Sequence, residues 1–232
     1  MATKTYTDHV AGEHGVLIEA KLMAWNAKNR REGQQPRPDH CRLSALTIEA
    51  GRYTLAAQAL HWLTVFLILM ILPVAWVMMS LPEGPEQSRM LVVHRSLGVT
   101  IFAVAVLRLA WRSTHPAPPL PSDTPRVMQL ISQLTHWLLY ALLLLMPITG
   151  YLQSGDGRPV SYFGLFDLPA LPKDKALGDV AKVLHLLGQW GVYTLVGLHV
   201  GATVWHVAIR RDGLLNRMIP TQDQNGRCSD GR

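Results

Sequence analysis

Four long stretches of the chain are almost purely apolar, and polar segments separate them. No Asp, Glu, Lys or Arg occurs over residues 53–82, 127–155 or 183–209. A fourth stretch, residues 90–111, is apolar apart from Arg95 and Arg108 near its ends. About 20 apolar residues in a helix cross a bilayer core of ~30 Å. The pattern therefore predicts four membrane-spanning helices, at residues 55–79, 90–111, 130–152 and 183–209, with Pro73 a candidate kink in the first. The expected fold class is an all-α membrane protein, a four-transmembrane-helix bundle. A soluble bundle of buried helices is the alternative, and three charge-free runs of this length argue against it.

The flanks divide the chain further. Residues 1–50 are polar and carry Arg30, Arg31, Arg37 and Arg42. They hold no apolar run fit for a signal peptide, although residues 16–32 suit a short amphipathic helix. This segment reads as a flexible N-terminal extension, or as the product of a start codon placed too early. Residues 51–220 form the helical domain, and residues 221–232 a polar tail. The extension, the 112–126 connector and the tail are rich in arginine, whereas the 80–89 turn and the 153–182 loop are balanced or acidic. Basic residues collect on the cytoplasmic side of membrane proteins. Both termini are accordingly expected in the cytoplasm, with the first turn and the long loop outside.

Composition agrees. The apolar fraction is 49% and the charged fraction 16%, against about 25% charged in soluble domains. The net charge of +6 is explained by cytoplasmic loops rather than by nucleic-acid binding. Cys41 and Cys228 lie in the polar tails without metal-ligand spacing, and Cys-x-x-Cys-His is absent, which excludes covalent haem attachment by that motif.

Histidines inside the apolar stretches carry the candidate chemistry. His185 and His199 are fourteen residues apart on the fourth stretch. Helical geometry returns them to nearly one face, roughly 21 Å apart along the axis. With the expected orientation, His94 and His185 lie towards the outer side, and His61 and His199 towards the inner side. Ionisable groups inside a membrane are costly and point to function. Neutral imidazole is a good axial ligand for haem iron, and two imidazoles saturate the iron for electron transfer. Interhelical hydrogen bonding is the plainer explanation for any single histidine, but it accounts poorly for four at two matched depths.

Other residues fit around these pairs. Gly98, Gly188, Gly191, Gly197 and Gly201 lie near the histidines and allow close approach of a helix or a flat macrocycle. Arg95 and Arg108 are candidate partners for haem propionates, with interfacial anchoring as the alternative. His206, seven residues beyond His199, shares its stripe and is the competing inner ligand. His136 and His206 are also candidates for proton relay to a quinone, or for simple interfacial bonding. The tryptophans lie mostly near helix ends, as an aromatic belt would place them.

With these pieces in place, residues 53–220 resemble the bacterial cytochrome b561 family of membrane di-haem proteins. The resemblance rests on Ala59-Leu60-His61-Trp62, His94-Arg95-Ser96-Leu97-Gly98, Gly197-Leu198-His199-Val200 and the closing RRDGLLNRMIP. It implies two non-covalent haem b groups on the iron ligands His61, His94, His185 and His199, with the third helix giving no axial ligand. It also implies electron transfer in a bacterial inner membrane between an outer donor and ubiquinone. The donor is then a small anion such as superoxide, which would make the chain an oxidoreductase. Alternatively, the chain is a non-catalytic subunit that docks a periplasmic or hydrogenase-type redox protein through the 153–182 loop. The N-terminal extension departs from the family pattern.

Overall fold

A computed structural model describes residues 51–119, 124–154 and 159–220, together with Lys21 and Ala24, which are helical and exposed. The rest of the extension, with most of the expected 16–32 helix, the tail after Pro220, both cysteines and residues 120–123 and 155–158 lie outside the described residues. Residues 52–220 form one compact unit. Its helices are α1 (Leu55–Ser80), α2 (Pro85–Thr114), α3 (Arg126–Leu152) and α4 (Lys175–Trp205). A π-helical turn, His206–Arg210, and a 3-10 turn, Leu214–Arg217, follow α4. Between α3 and α4, β1 (Val160–Tyr162) and β2 (Phe166–Leu168) pair as an antiparallel hairpin.

Each helix starts where local chemistry allows. The Thr54 side chain accepts the Ala57 N–H at the head of α1 and also the indole N–H of Trp111, 2.9 Å away. α2 starts at Pro85 after Gly84, with proline among the first helical residues, where its missing N–H costs nothing. The Asp174 carboxylate caps α4 by accepting from Leu177 N at 3.0 Å. α2 and α4 therefore begin earlier than apolar counting predicts, at Pro85 rather than near residue 90 and at Lys175 rather than 183. Hydropathy locates the apolar part of a helix, whereas caps set its ends. His94 and His185 consequently sit well inside their helices instead of opening them.

All four helices are long and apolar enough to cross a membrane. Their outer surfaces are apolar: Phe66, Leu69 and Trp76 on α1, Leu134 and Trp137 on α3, and Leu187 and Trp190 on α4 are exposed. Apolar surface this extensive does not suit a soluble monomer; it suits lipid. Hydroxyl side chains within the spans are satisfied by the preceding helical turn, as Thr64 on Leu60 O, Thr100 on Ser96 O and Thr203 on His199 O.

Packing runs α1 on α2, α2 on α3 and α3 on α4. The buried centre is Leu67, Ile101 and Val104, with Leu97 and Leu143 against it. At the α1–α4 seam, side chains make the contact, as where Trp76 Nε1 donates to Tyr193 Oη at 2.7 Å. The segment after α4 straps the end where α1 begins. Trp62 Nε1 donates to Met218 O at 2.7 Å, Tyr53 N to Arg217 O at 3.2 Å, and Arg52 reaches Asn216 O and Ile219 O. That strap gives the closing RRDGLLNRMIP segment a structural task.

Candidate functional site

The structure brings the four span histidines together in two pairs. The rings of His94 on α2 and His185 on α4 are 6.2 Å apart, centre to centre. Those of His61 on α1 and His199 on α4 are 6.3 Å apart. Ring centres about 6.2 Å apart leave room for one metal ion between two facing nitrogens, at about 2.0 Å from each. Edge-to-face packing spans a wider range, about 4.5–7 Å, so the surroundings of each pair carry the distinction.

Both pairs open on one cavity of about 610 Å³, which Arg95, Arg108, Gly98 and His136 also line. This lies within the ~300–1,000 Å³ of small-molecule sites. At the hairpin end, His185 Nδ1 donates to Met146 O at 3.0 Å and has Thr149 Oγ1 at 3.1 Å. A proton held on Nδ1 leaves the Nε2 lone pair for a metal, the usual arrangement of a ligating histidine. The Cβ of an alanine at Gly150 would stand 3.2 Å from His185 Cε1, so glycine gives this ring its room. His94 Nδ1 is buried without a hydrogen-bond partner.

The other end is built differently. Arg108 Nη2 lies 3.0 Å from His61 Nδ1. Guanidinium only donates, so Nδ1 accepts and the neutral ring keeps its proton on Nε2. Ligation through Nε2 requires that proton to move and Arg108 to release the ring. The guanidinium also stands 5.2 Å over the ring of Tyr140. His136, on α3, comes within 5.3 Å of His199, and its Nδ1 donates to Ser132 O at 2.6 Å. It is thus part of the cluster around the second pair and not merely a neighbour of the helix end.

His206 shares the His199 stripe in sequence, but the structure does not bring it to either pair. It bonds Asp212 Oδ2 at 2.5 Å, with Arg210 3.7 Å from the same carboxylate oxygen. Burial alone would push the Asp212 carboxyl up. The His206 hydrogen bond, the Leu214 N–H and the nearby Arg210 charge outweigh this and hold it below the usual carboxylate range.

The glycines divide. A Cβ at Gly188 would strike Met146 Sδ at 2.5 Å and one at Gly191 would meet Leu142 at 3.3 Å, so both serve α3–α4 packing. Gly98, Gly197 and Gly201 have open space where a side chain would start. Sequence reasoning missed Met146, Thr149, Gly150 and Tyr140 as parts of the site. Thr149-Gly150 is a polar, small pair inside an apolar run, and that was the available signal.

Comparisons with known proteins agree with this architecture. A family model described as prokaryotic cytochrome b561 matches residues 52–221. The chain is 34% identical over 178 residues to cytochrome b561 homolog 2 of Escherichia coli (strain K12), covering 72% of this chain and 91% of that protein. It is 29% identical over 174 residues to the probable superoxide oxidase CybB of Yersinia pestis, covering 73% and 96%. Cytochrome b561 homolog 1 of Escherichia coli (strain K12) is 24% identical over 176 residues.

Proposed function

Because the chain belongs to the prokaryotic cytochrome b561 family, a family of multi-pass membrane electron-transfer cytochromes, we propose that it is a di-haem b cytochrome of the bacterial inner membrane. His94 with His185 would hold one haem, and His61 with His199 the other. The single observation that carries this reading is the recurrence of one ring spacing, 6.2 and 6.3 Å, at two levels of one cavity. When bound, the two haems supply one-electron carriage from a donor at the hairpin end to ubiquinone at the other.

The chain's own residues do the rest. Thr149 and the Met146 carbonyl orient His185, and Gly150 leaves the ring its space. Arg95 and Arg108 face the cavity as cations for propionate carboxylates. Arg108 moving from His61 to a carboxylate would free the ring for ligation. The His206–Asp212 pair beside the arginine-rich end is the proposed proton path for quinone reduction, with His136 as the second candidate. The termini would lie in the cytoplasm, where the basic residues collect. The extension 1–50 is read as a polar appendage to this domain.

The relative named as a probable superoxide oxidase supports superoxide at the outer face as the donor, which would make the chain a superoxide:quinone oxidoreductase. Purified chain in detergent should show a reduced-minus-oxidised b-type spectrum and reduce a soluble ubiquinone analogue in a superoxide-dependent reaction. A chain without that spectrum would refute the reading. Exposed Phe163 and Phe166 on the outer loop are the observation behind the alternative, a non-catalytic subunit docking a periplasmic redox protein. Superoxide-dependent turnover by the isolated chain excludes that alternative as the sole role.

A further inference from the structure

The hairpin between α3 and α4 is amphipathic. Val160 pairs with Leu168, Tyr162 with Phe166, and Ser161 with Asp167. Side chains alternate across a strand, so the first two pairs share an apolar face and the third forms the polar one. Tyr162 and Phe166 stack on that apolar face, ring centres 4.9 Å apart. The turn beyond adds two more large apolar side chains, Phe163 and Leu165.

The hairpin is fastened at the level of the apolar spans. Phe163 N donates to Ser96 Oγ at 2.8 Å, and Tyr162 Oη meets Thr100 Oγ1 at 3.0 Å. Ser96 is fully buried in α2, two residues from His94. Val160 is buried and walls the cavity at the same end. Phe163 holds a φ of +51° and Gly164 one of +72°. That conformation is costly for a bulky residue, and the bond to Ser96 helps hold it. Leu165 is nevertheless 76% exposed, Phe166 54% and Phe163 43%.

What covers these side chains follows from depth. Ser96 and Thr100, which hold the tip, lie within the apolar stretch 90–111 of a helix long and apolar enough to cross a membrane. Large apolar side chains exposed at that level meet lipid rather than a partner in water. We propose that the hairpin is an interfacial lipid anchor. Its tip, Phe163 to Phe166, rests in the headgroup–acyl boundary at the His94–His185 end, while Asp167 stays in water. Its backbone tolerates that depth because the strands pair with each other and Ser96 accepts the Phe163 N–H. This inference does not depend on the redox reading.

Site-directed fluorescence tests it on the full chain in phosphatidylcholine nanodiscs. Cys41 and Cys228 are replaced by serine, and Leu165→Cys, Phe166→Cys and Asp167→Cys variants each receive an environment-sensitive label. The dye at 165 should be quenched by shallow doxyl-labelled lipid, and at least about fivefold less by iodide than the dye at 167. Position 166 repeats the measurement should the 165 variant misfold. Equal iodide quenching at 165, 166 and 167 without lipid quenching would overturn the anchor and leave the tip open to a protein partner. Lipid quenching at all three positions would overturn the assigned polar face.

Discussion

The two histidine pairs have nearly the same ring separation in unlike surroundings. At the hairpin end, neutral groups orient the ring: a backbone carbonyl and a threonine hold His185, and a glycine makes room for it. At the strapped end, charge and a third imidazole dominate, with Arg108 on His61 and His136 beside His199. Equal spacing suits one kind of ligand at both ends. Unequal surroundings suit two different affinities for an electron, because a nearby cation favours the reduced form. Under the proposed reading a directed electron path would use that inequality; Arg95 lines the cavity beside His94, so the difference lies in the direct contact of Arg108 with a ring and in the extra histidine.

The strongest way to break this comparison is to remove one ligand from each end. His94→Ala and His61→Ala should each leave one haem of two, roughly halving the b-type absorbance in a haem-content assay. Loss of both haems from either variant would show that the ends are not independent sites. Arg108→Ala should lower the reduction potential of one haem by about 50–100 mV, or on the order of 1–2 kcal/mol for one electron. Redox titration should find the other haem unmoved. Equal shifts in both would sink the assignment of Arg108 to one end.

Gly150→Ala should disturb the other end alone. Its new methyl presses on His185, at a cost of about 1–3 kcal/mol if the ring cannot move. The low-spin electron paramagnetic resonance signal of one haem should shift while the second keeps its position. Gly191→Ala is the control, since its methyl would meet Leu142 at 3.3 Å and should lower thermal stability without selecting one signal.

The smallest effect belongs to Asp212→Asn, which should slow quinone reduction while leaving both haem spectra unchanged. Its stability cost should be about 1 kcal/mol or less, because the pair lies near the surface. The folded pKa of Asp212 is depressed, so its contribution is fully present above the unfolded value near 3.8. It is lost as pH falls through the lower folded value. Melting temperatures of the wild type and the Asn variant should therefore converge in acid. A constant gap down to pH 2 would contradict the assignment.

Much of the candidate site was legible because its proposed ligands lie in a sparse alphabet. A histidine in a charge-free run stands out, and helical rise converts its position into depth. His61, His94, His185 and His199 were found on that basis. Their partners were less legible. A backbone carbonyl such as that of Met146 has no residue signature, and Gly150 resembles any packing glycine until its neighbour is known. Gly188 and Gly191 show the converse, with the same residue type and spacing serving helix packing instead.

The sequence by itself determined four spans, their order and the spacing of the histidines along them, because hydropathy and helical rise are local properties read along one dimension. Tertiary structure decided which ring meets which, and what holds each one. It drew His136 from α3 towards His199 and placed Arg108 on His61. It also kept His206 from the pairs. His206 keeps the α-helical stripe of His199 but lies roughly 10 Å further along the axis, and a π turn, in which Arg211 N donates to His206 O at 2.7 Å, follows it. Asp212, left just beyond that turn, became the partner of His206. Such pairings depend on how four helices tilt and close around one cavity, and no single helix carries that information.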